Sequence, residues 1–218
     1  MMNMGNPFDY FDGIYCINLD HRTDRWDQCV EEFAKLGILH RVVRFSAIKH
    51  TDGRVGVIKS NLEIVKMAKD NKLNNVLVFE DDVKFLHDKN PLYVLSKTIE
   101  QVKQTDMDWK LFYLGANTHD KLTKISKNIV LIQNSFAVHS MSYHSSIYDK
   151  FIKYASGIDC ISNHGDILDV WLAQQVQSKH TCIMTNPMLT TQRESFSDIE
   201  NRFVNYDFIE DRFNKNIK

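Results

Sequence analysis

The chain has 218 residues, 43% of them hydrophobic, which is enough to bury one substantial core, and its formal net charge is -1 at pH 7. Near-neutral, mixed charge gives no electrostatic footprint for nucleic acid or an anionic membrane surface. No apolar run approaches the roughly eighteen residues of a membrane span, and residues 1–10 lack the basic-then-apolar order of a secretory signal, so an untargeted, cytoplasmic protein without a transmembrane segment is expected.

In chain order, residues 14–19 form a nearly continuous apolar run that predicts a buried strand. A polar turn, residues 20–25, leads into an amphipathic helix from about Asp24 to Leu36. Its stripe is Trp26, Val30, Phe33 and Ala34, with Thr23 or Asp24 as cap and Gly37 at its end. Arg41 to Phe45 is a second strand. A polar loop, residues 49–54, follows with Gly53 and Gly56 as breakers, and helical spacing of Ile58, Leu62, Val65 and Ala68 predicts a helix over 57–70. Ser60 with Glu63 fits a capping box for it; equally, Ser60 and Asn61 can face a ligand from its first turn.

Residues 76–79, Val-Leu-Val-Phe, read as a strand buried on both faces, and Glu80, Asp81 and Asp82 follow it at once. Further on come a helix over about 92–103, a strong strand at 111–114, an exposed loop around 117–127, and short strands at 129–132 and 136–139. Helices over 145–155 and 165–177 and a strand over 180–185 complete the regular pattern, which weakens after Pro187. Strands alternating with helices argue a mainly parallel sheet with helices on its faces. Length and the lack of an internal boundary signal favour one domain over 1–218, with a loosely packed tail from about residue 197.

Cys16, Cys29, Cys160 and Cys182 show no CxxC spacing and are expected to be free thiols in a reducing compartment; the nine histidines show no metal-binding spacing such as HExxH. The acidic triad is the chemical focus. In open α/β sheets ligands bind beyond the carboxyl ends of strands, and three adjacent carboxylates repel by about 1 kcal/mol per pair at 4 Å even in water, a cost that a divalent cation relieves. The bland alternative is a solvated turn or a helix cap. Arg22 and Arg25, near a helix N-terminus, suit a phosphate or nucleotide, or else pair with Asp20, Asp24 or Asp27.

Taken together, residues 17–20 with Arg22 and Arg25, residues 56–62 before a helix, residues 76–83 with their acids, and residues 111–115 resemble glycosyltransferase family 25, the lipopolysaccharide and collagen galactosyltransferase-like enzymes. Fainter echoes are residues 137–142, 169–172 and 192–199. The resemblance implies a Rossmann-like GT-A fold and transfer of a sugar, galactose or glucose among the candidates, from a nucleoside diphosphate sugar, UDP-linked by preference, to a glycan or protein hydroxyl with inversion. It also implies manganese or magnesium on a DxD-type motif. Carried over, Asp82 and Glu80 hold the metal, with Glu80 and Asp81 beside the sugar nucleotide, and Asn18, Leu19, Asp20, Arg22, Arg25, Ser60 and Asn61 lie near the nucleotide. Asn61 stands where the family commonly has His, which leaves nucleotide selectivity open.

Single-step inversion needs a group to take the acceptor proton. Asp166 and Asp169 are the candidates: Asp169 fits the family-like phrase, Asp166 lies nearer the helix start, where the dipole favours an acid without any catalytic role. His139 and His144 are minor candidates for metal or acceptor, and Arg193, Ser195 and Ser197 for closing over the diphosphate. Competing readings are a magnesium-dependent phosphohydrolase with an aspartyl nucleophile, a metal-free glycosidase, and a non-catalytic module that binds a sugar nucleotide or glycan.

Overall fold

The computed structural model describes residues 5–197 and 202–217. Its elements are β1 Gly13–Asn18, α1 Thr23–Lys35, β2 Val42–Ser46, α2 Gly53–Asp70, β3 Asn75–Glu80, β4 Val83–Phe85, α3 Pro91–Gln104 and β5 Leu111–Tyr113. Then come β6 Asn117–Thr118, β7 Thr123–Lys124, β8 Ile129–Leu131, β9 Ser135–Phe136, β10 Ser140–His144 and α4 Tyr148–Ser156. The chain continues with α5 Leu168–Leu172, β11 Cys182–Thr185, β12 Thr190–Gln192, β13 Ser195–Ser197, β14 Arg202–Val204 and α6 Phe208–Asn216.

Eight strands form the central sheet in the order β2-β1-β3-β10-β5-β11-β8-β7. β2, β1 and β3 run parallel, as do β5 and β11, whereas β10 is antiparallel to both β3 and β5. Side chains alternate along each strand, so one strand feeds two cores. From β3, Val76 and Val78 pack on one face with Ile58, Leu62 and Val65 of α2 and Phe151 of α4. Leu77 and Phe79 pack on the other with Phe33 of α1 and Leu95 and Ile99 of α3. Full burial of each such side chain contributes about 1.5–3 kcal/mol. The predicted α/β architecture, a mainly parallel sheet with helices on both faces, is therefore present.

Several local expectations are corrected. Helix α2 begins at Gly53, not at 57, because Asp52 caps it by accepting from the Arg54 amide at 3.0 Å. Gly53 and Gly56 thus lie inside the helix, and Ser60 is no cap: its hydroxyl donates to the Gly56 carbonyl four residues back at 2.8 Å. Gly56 is needed there by contact, since a Cβ would lie 2.7 Å from the Ile48 carbonyl oxygen. The 117–127 loop contains β6 and β7, with Thr118 and Leu122 buried. The strand predicted at 136–139 is displaced: β9 ends at Phe136 and β10 begins at Ser140. Between them Ala137 takes φ +65°, a left-handed conformation that breaks extended structure.

After Pro187 the described residues take partners both distant and near in sequence. β12 pairs with β4, β13 with β14, and Ile209 and Phe213 of α6 are buried in the core. Ile199, the end of the 192–199 echo, lies outside the described residues, as does the side chain of Ser197. No helix among the described residues is long and apolar enough to cross a membrane.

Candidate functional site

Parallel pairing brings the carboxyl ends of β1, β2 and β3 to one edge of the sheet, and the reversed β10 delivers its beginning to the same edge. A cavity of about 760 Å³ opens there. Leu19 and Arg25 line it after β1, residues 47–51 after β2, Glu80, Asp81 and Asp82 after β3, and Ala137 and Val138 before β10. Asp169, Gln192, Tyr206 and Phe208 also line it, with Gln192 beside Asp82. This is the crevice that the crossover rule for open α/β sheets anticipates.

The three acids occupy different electrostatic situations. The β1/β3 register sets Ile17 beside Glu80, so the next residues, Asn18 and Asp81, fall side by side. Asn18 Nδ2 donates to Asp81 Oδ2 at 2.7 Å, and Arg25 donates to Asp81 Oδ1 at 2.6 Å. Asp81 is thereby neutralised and fixed. Asp82 is 8% exposed; its Oδ2 accepts from Gln192 Nε2 at 3.2 Å, and its Oδ1 is buried without a partner among the described residues. Burial, helped by the Asp81 charge and opposed by Arg25, pushes its pKa up to about 6. Glu80 makes no side-chain hydrogen bond among the described residues. Desolvation, then the charges of Asp82, Asp81 and Asp169, hold its carboxyl well above the usual range.

Two carboxylates poor in donors, side by side in a cleft, are what a hard cation satisfies. No group of three or more His, Cys, Asp or Glu among the described residues makes a protein-only metal cage. A magnesium- or manganese-type ion that keeps waters and takes phosphate oxygens needs only one or two carboxylates, so the residues present fit it.

Of the residues expected beside the nucleotide, Leu19, Arg25 and Ser60 line the cavity. Ser60 Oγ also accepts from the Ile48 amide at 2.9 Å, which ties the 47–52 loop to α2. Asn18 acts from behind: its Oδ1 accepts from Arg44 Nε at 2.9 Å while its amide holds Asp81. Asn61 is not at the cavity; it is buried, accepting from the Tyr143 hydroxyl at 3.1 Å and donating to the Val57 carbonyl at 3.0 Å. Arg22 pairs with Asp24 at 2.9 Å, the surface alternative, and holds the Asp24 carboxyl down at about 2. Asp20 is exposed and, like Arg22, does not line the cavity.

The two base candidates separate cleanly. Asp166 Oδ2 accepts from the Ser162 and Asn163 amides at 2.8 and 2.9 Å and Oδ1 from Asn163 Nδ2 at 3.0 Å, so it laces the turn before α5 and does not line the cavity. Asp169 lines it, held by the Ala137 amide at 3.3 Å and the Val170 amide at 2.8 Å. His139 is fully buried beneath the acids, with its pKa pushed down to about 4 by that burial, and is neutral at pH 7. His144 lies by Trp109, away from the cavity. Arg193 reaches Gln28 at 3.0 Å, whereas Ser195 accepts from Arg25 at 2.8 Å and so joins the site.

Sequence reasoning did not single out His21, Lys49, His50 and Arg54, the basic rim, nor Gln192, Phe136, Tyr206 and Phe208. The 49–54 segment carried a usable signal, since it follows the carboxyl end of a parallel strand. Phe136, Tyr206 and Phe208 carried none.

No family model matches the chain. It is 25% identical over 166 residues to mouse procollagen galactosyltransferase 2, covering 63% of this chain and 26% of that protein. It is 30% identical over 131 residues to the human inactive glycosyltransferase 25 family member 3, covering 48% and 22%. The chain therefore spans about a quarter of the length of the curated relatives it matches. Among solved structures, a glycosyltransferase involved in glycosylation of the PBCV-1 major capsid aligns with a TM-score of 0.47 at 8% identity, over 79% of this chain and 91% of that one.

Proposed function

We propose that this chain, similar in sequence to glycosyltransferase family 25 proteins, is a single glycosyltransferase domain. It moves a hexose from a nucleoside diphosphate sugar, UDP-linked by preference, to a hydroxyl of a glycan or protein acceptor. The observation that carries this reading is the division of labour at the end of β3: Asp81 is locked by Arg25 and Asn18, which leaves Glu80 and Asp82 to face the cavity with unmet acceptor capacity. Asp82 and Glu80 would hold a manganese or magnesium ion, and that ion supplies positive charge to the departing diphosphate.

The remaining roles follow from position. Lys49 and His21 flank the diphosphate, with Arg54 held beside them by Asp52 at 2.7 Å, and residues 47–51 with Leu19 wall the nucleotide side. Asp169 takes the proton from the acceptor hydroxyl as the new glycosidic bond forms with inversion. Its two backbone donors orient the carboxylate without the full saturation that occupies Asp166. The free thiols suit a reducing setting such as the cytoplasm.

Thermal shift with UDP, GDP or CDP, each with and without manganese, tests the site, because binding to the native state raises stability by RT ln(1 + [L]/Kd). UDP with manganese is expected to stabilise more than UDP alone, and Asp82→Ala to abolish the difference. In sugar-nucleotide transfer or hydrolysis assays, Asp82→Ala and Asp169→Asn are each expected to lose about a hundredfold or more. Full activity in Asp82→Ala would sink the metal assignment. A second reading, binding without turnover, is favoured by the relative named as inactive. Stabilisation by UDP and manganese with no turnover of any sugar nucleotide would select it.

A further inference from the structure

Part of the cavity lining is aromatic. Phe136, Tyr206 and Phe208 line it, and Phe208 is 42% exposed, one of the few large apolar side chains left open to solvent. Phe136 comes from a segment 70 residues away from the one that supplies Tyr206 and Phe208, so the wall is a product of the fold.

Its members are held in place. Tyr206 and Phe208 have ring centroids 6.4 Å apart, and Tyr206 packs on the core. The Arg212 guanidinium lies 5.2 Å from the Phe208 ring centroid and donates to Asn117 Oδ1 at 2.8 Å, with His119 Nε2 at 3.0 Å. His119 in turn meets Phe136 edge-on at 4.9 Å. A chain of polar and ring contacts thus fixes Phe208 and Phe136 from behind and leaves them lining the cavity.

The wall also adjoins the base. Asp169 accepts from the amide of Ala137, the residue next to Phe136. A molecule resting on the rings therefore brings its polar edge to Asp169. A pyranose has an apolar face of axial C–H groups and an equatorial rim of hydroxyls, and the C–H groups carry the partial positive charge that an aromatic π-face attracts.

We infer that Phe136, Tyr206 and Phe208 form the acceptor subsite, which stacks the apolar face of a sugar ring and presents one of its hydroxyls to Asp169; this rests on the glycosyltransferase reading above. The acceptor class is accordingly a glycan rather than a bare peptide hydroxyl.

The test uses the full chain, an array of defined neutral oligosaccharides, and UDP with manganese in a thermal shift. Wild type is expected to retain at least one oligosaccharide. Phe208→Ala and Phe208→Leu should weaken that binding at least tenfold and Phe208→Trp preserve it within about threefold, with the UDP-manganese shift the same in all. Leu keeps apolar bulk without a π-face, so a Leu variant that binds like wild type overturns the inference, as does a wild type that retains no oligosaccharide while responding to UDP. A wild type that shows neither a UDP-manganese shift nor sugar-nucleotide turnover overturns the glycosyltransferase reading itself, and the acceptor role with it.

Discussion

At the scale of single residues, the site is a set of polar groups whose burial costs stability. His139 is the clearest case for measurement. Burial lowers its pKa from 6.5 to about 4. Above pH 6.5 it is neutral in folded and unfolded chains alike. As pH falls from 6.5 to 4 the unfolded chain takes up a proton that the folded one refuses, so stability is lost across that window and levels off below it. The whole effect is worth about 3 kcal/mol. His139→Gln, which keeps a polar group able to meet Thr190, is therefore expected to flatten the acid limb. Urea midpoints measured from pH 7 to pH 4 should fall less steeply in the variant; parallel curves would refute the assignment. Asp82 and Glu80 titrate in the opposite sense, their carboxyls being raised, so the difference between wild type and variant is the informative quantity.

At the scale of elements, the site depends on strands that meet without being neighbours in sequence. Gly115, just after β5, lies so close to β12 that a Cβ would sit 2.0 Å from the Thr190 carbonyl oxygen. Backbone cannot yield as a flexible side chain can. Two residues further along β12, Gln192 is in register with Val83 and donates to Asp82. Gly115→Ala is thus expected to destabilise by about 1–3 kcal/mol and to disturb Asp82 through β12. Both a lowered midpoint and a smaller response to UDP with manganese should be seen. A variant with wild-type stability would show that the contact relaxes freely. The Pro187 region looked featureless in one dimension because its strands are short and take their hydrogen bonds from β4 and from each other, which no local periodicity records.

At the scale of the whole molecule, the sheet screens its interior on both faces. Cys16, Cys29 and Cys182 are buried and Cys160 is exposed, and burial pushes the Cys182 thiol up to about 12. A thiol must be both accessible and ionised to react. Titration of the native protein with an aromatic disulfide reagent at pH 8 is expected to modify Cys160 quickly and the other three only after unfolding in denaturant. Fast modification of a second thiol in native buffer would mean that one face of the sheet opens more readily than its packing implies.

What the sequence determined by itself was whatever rests on nearest neighbours and short periods. The apolar runs at 14–19 and 76–79 specify buried strands, the stripe of Trp26, Val30 and Phe33 a helix, and the placement of Glu80, Asp81 and Asp82 after a strand a candidate ligand edge. Tertiary structure decided everything that needs a partner from elsewhere in the chain. Burial of Asn61 against Tyr143 and capture of Asp81 by Arg25 and Asn18 join residues 56 to 82 positions apart in the chain, Asp169 meets the Ala137 amide 32 positions away, and the reversed β10 brings Ala137 and Val138, which precede it, to the cleft. Local propensity fixes which way a residue faces along its own strand or helix; which group then satisfies or crowds it is set by register and crossing, and those are properties of the folded sheet.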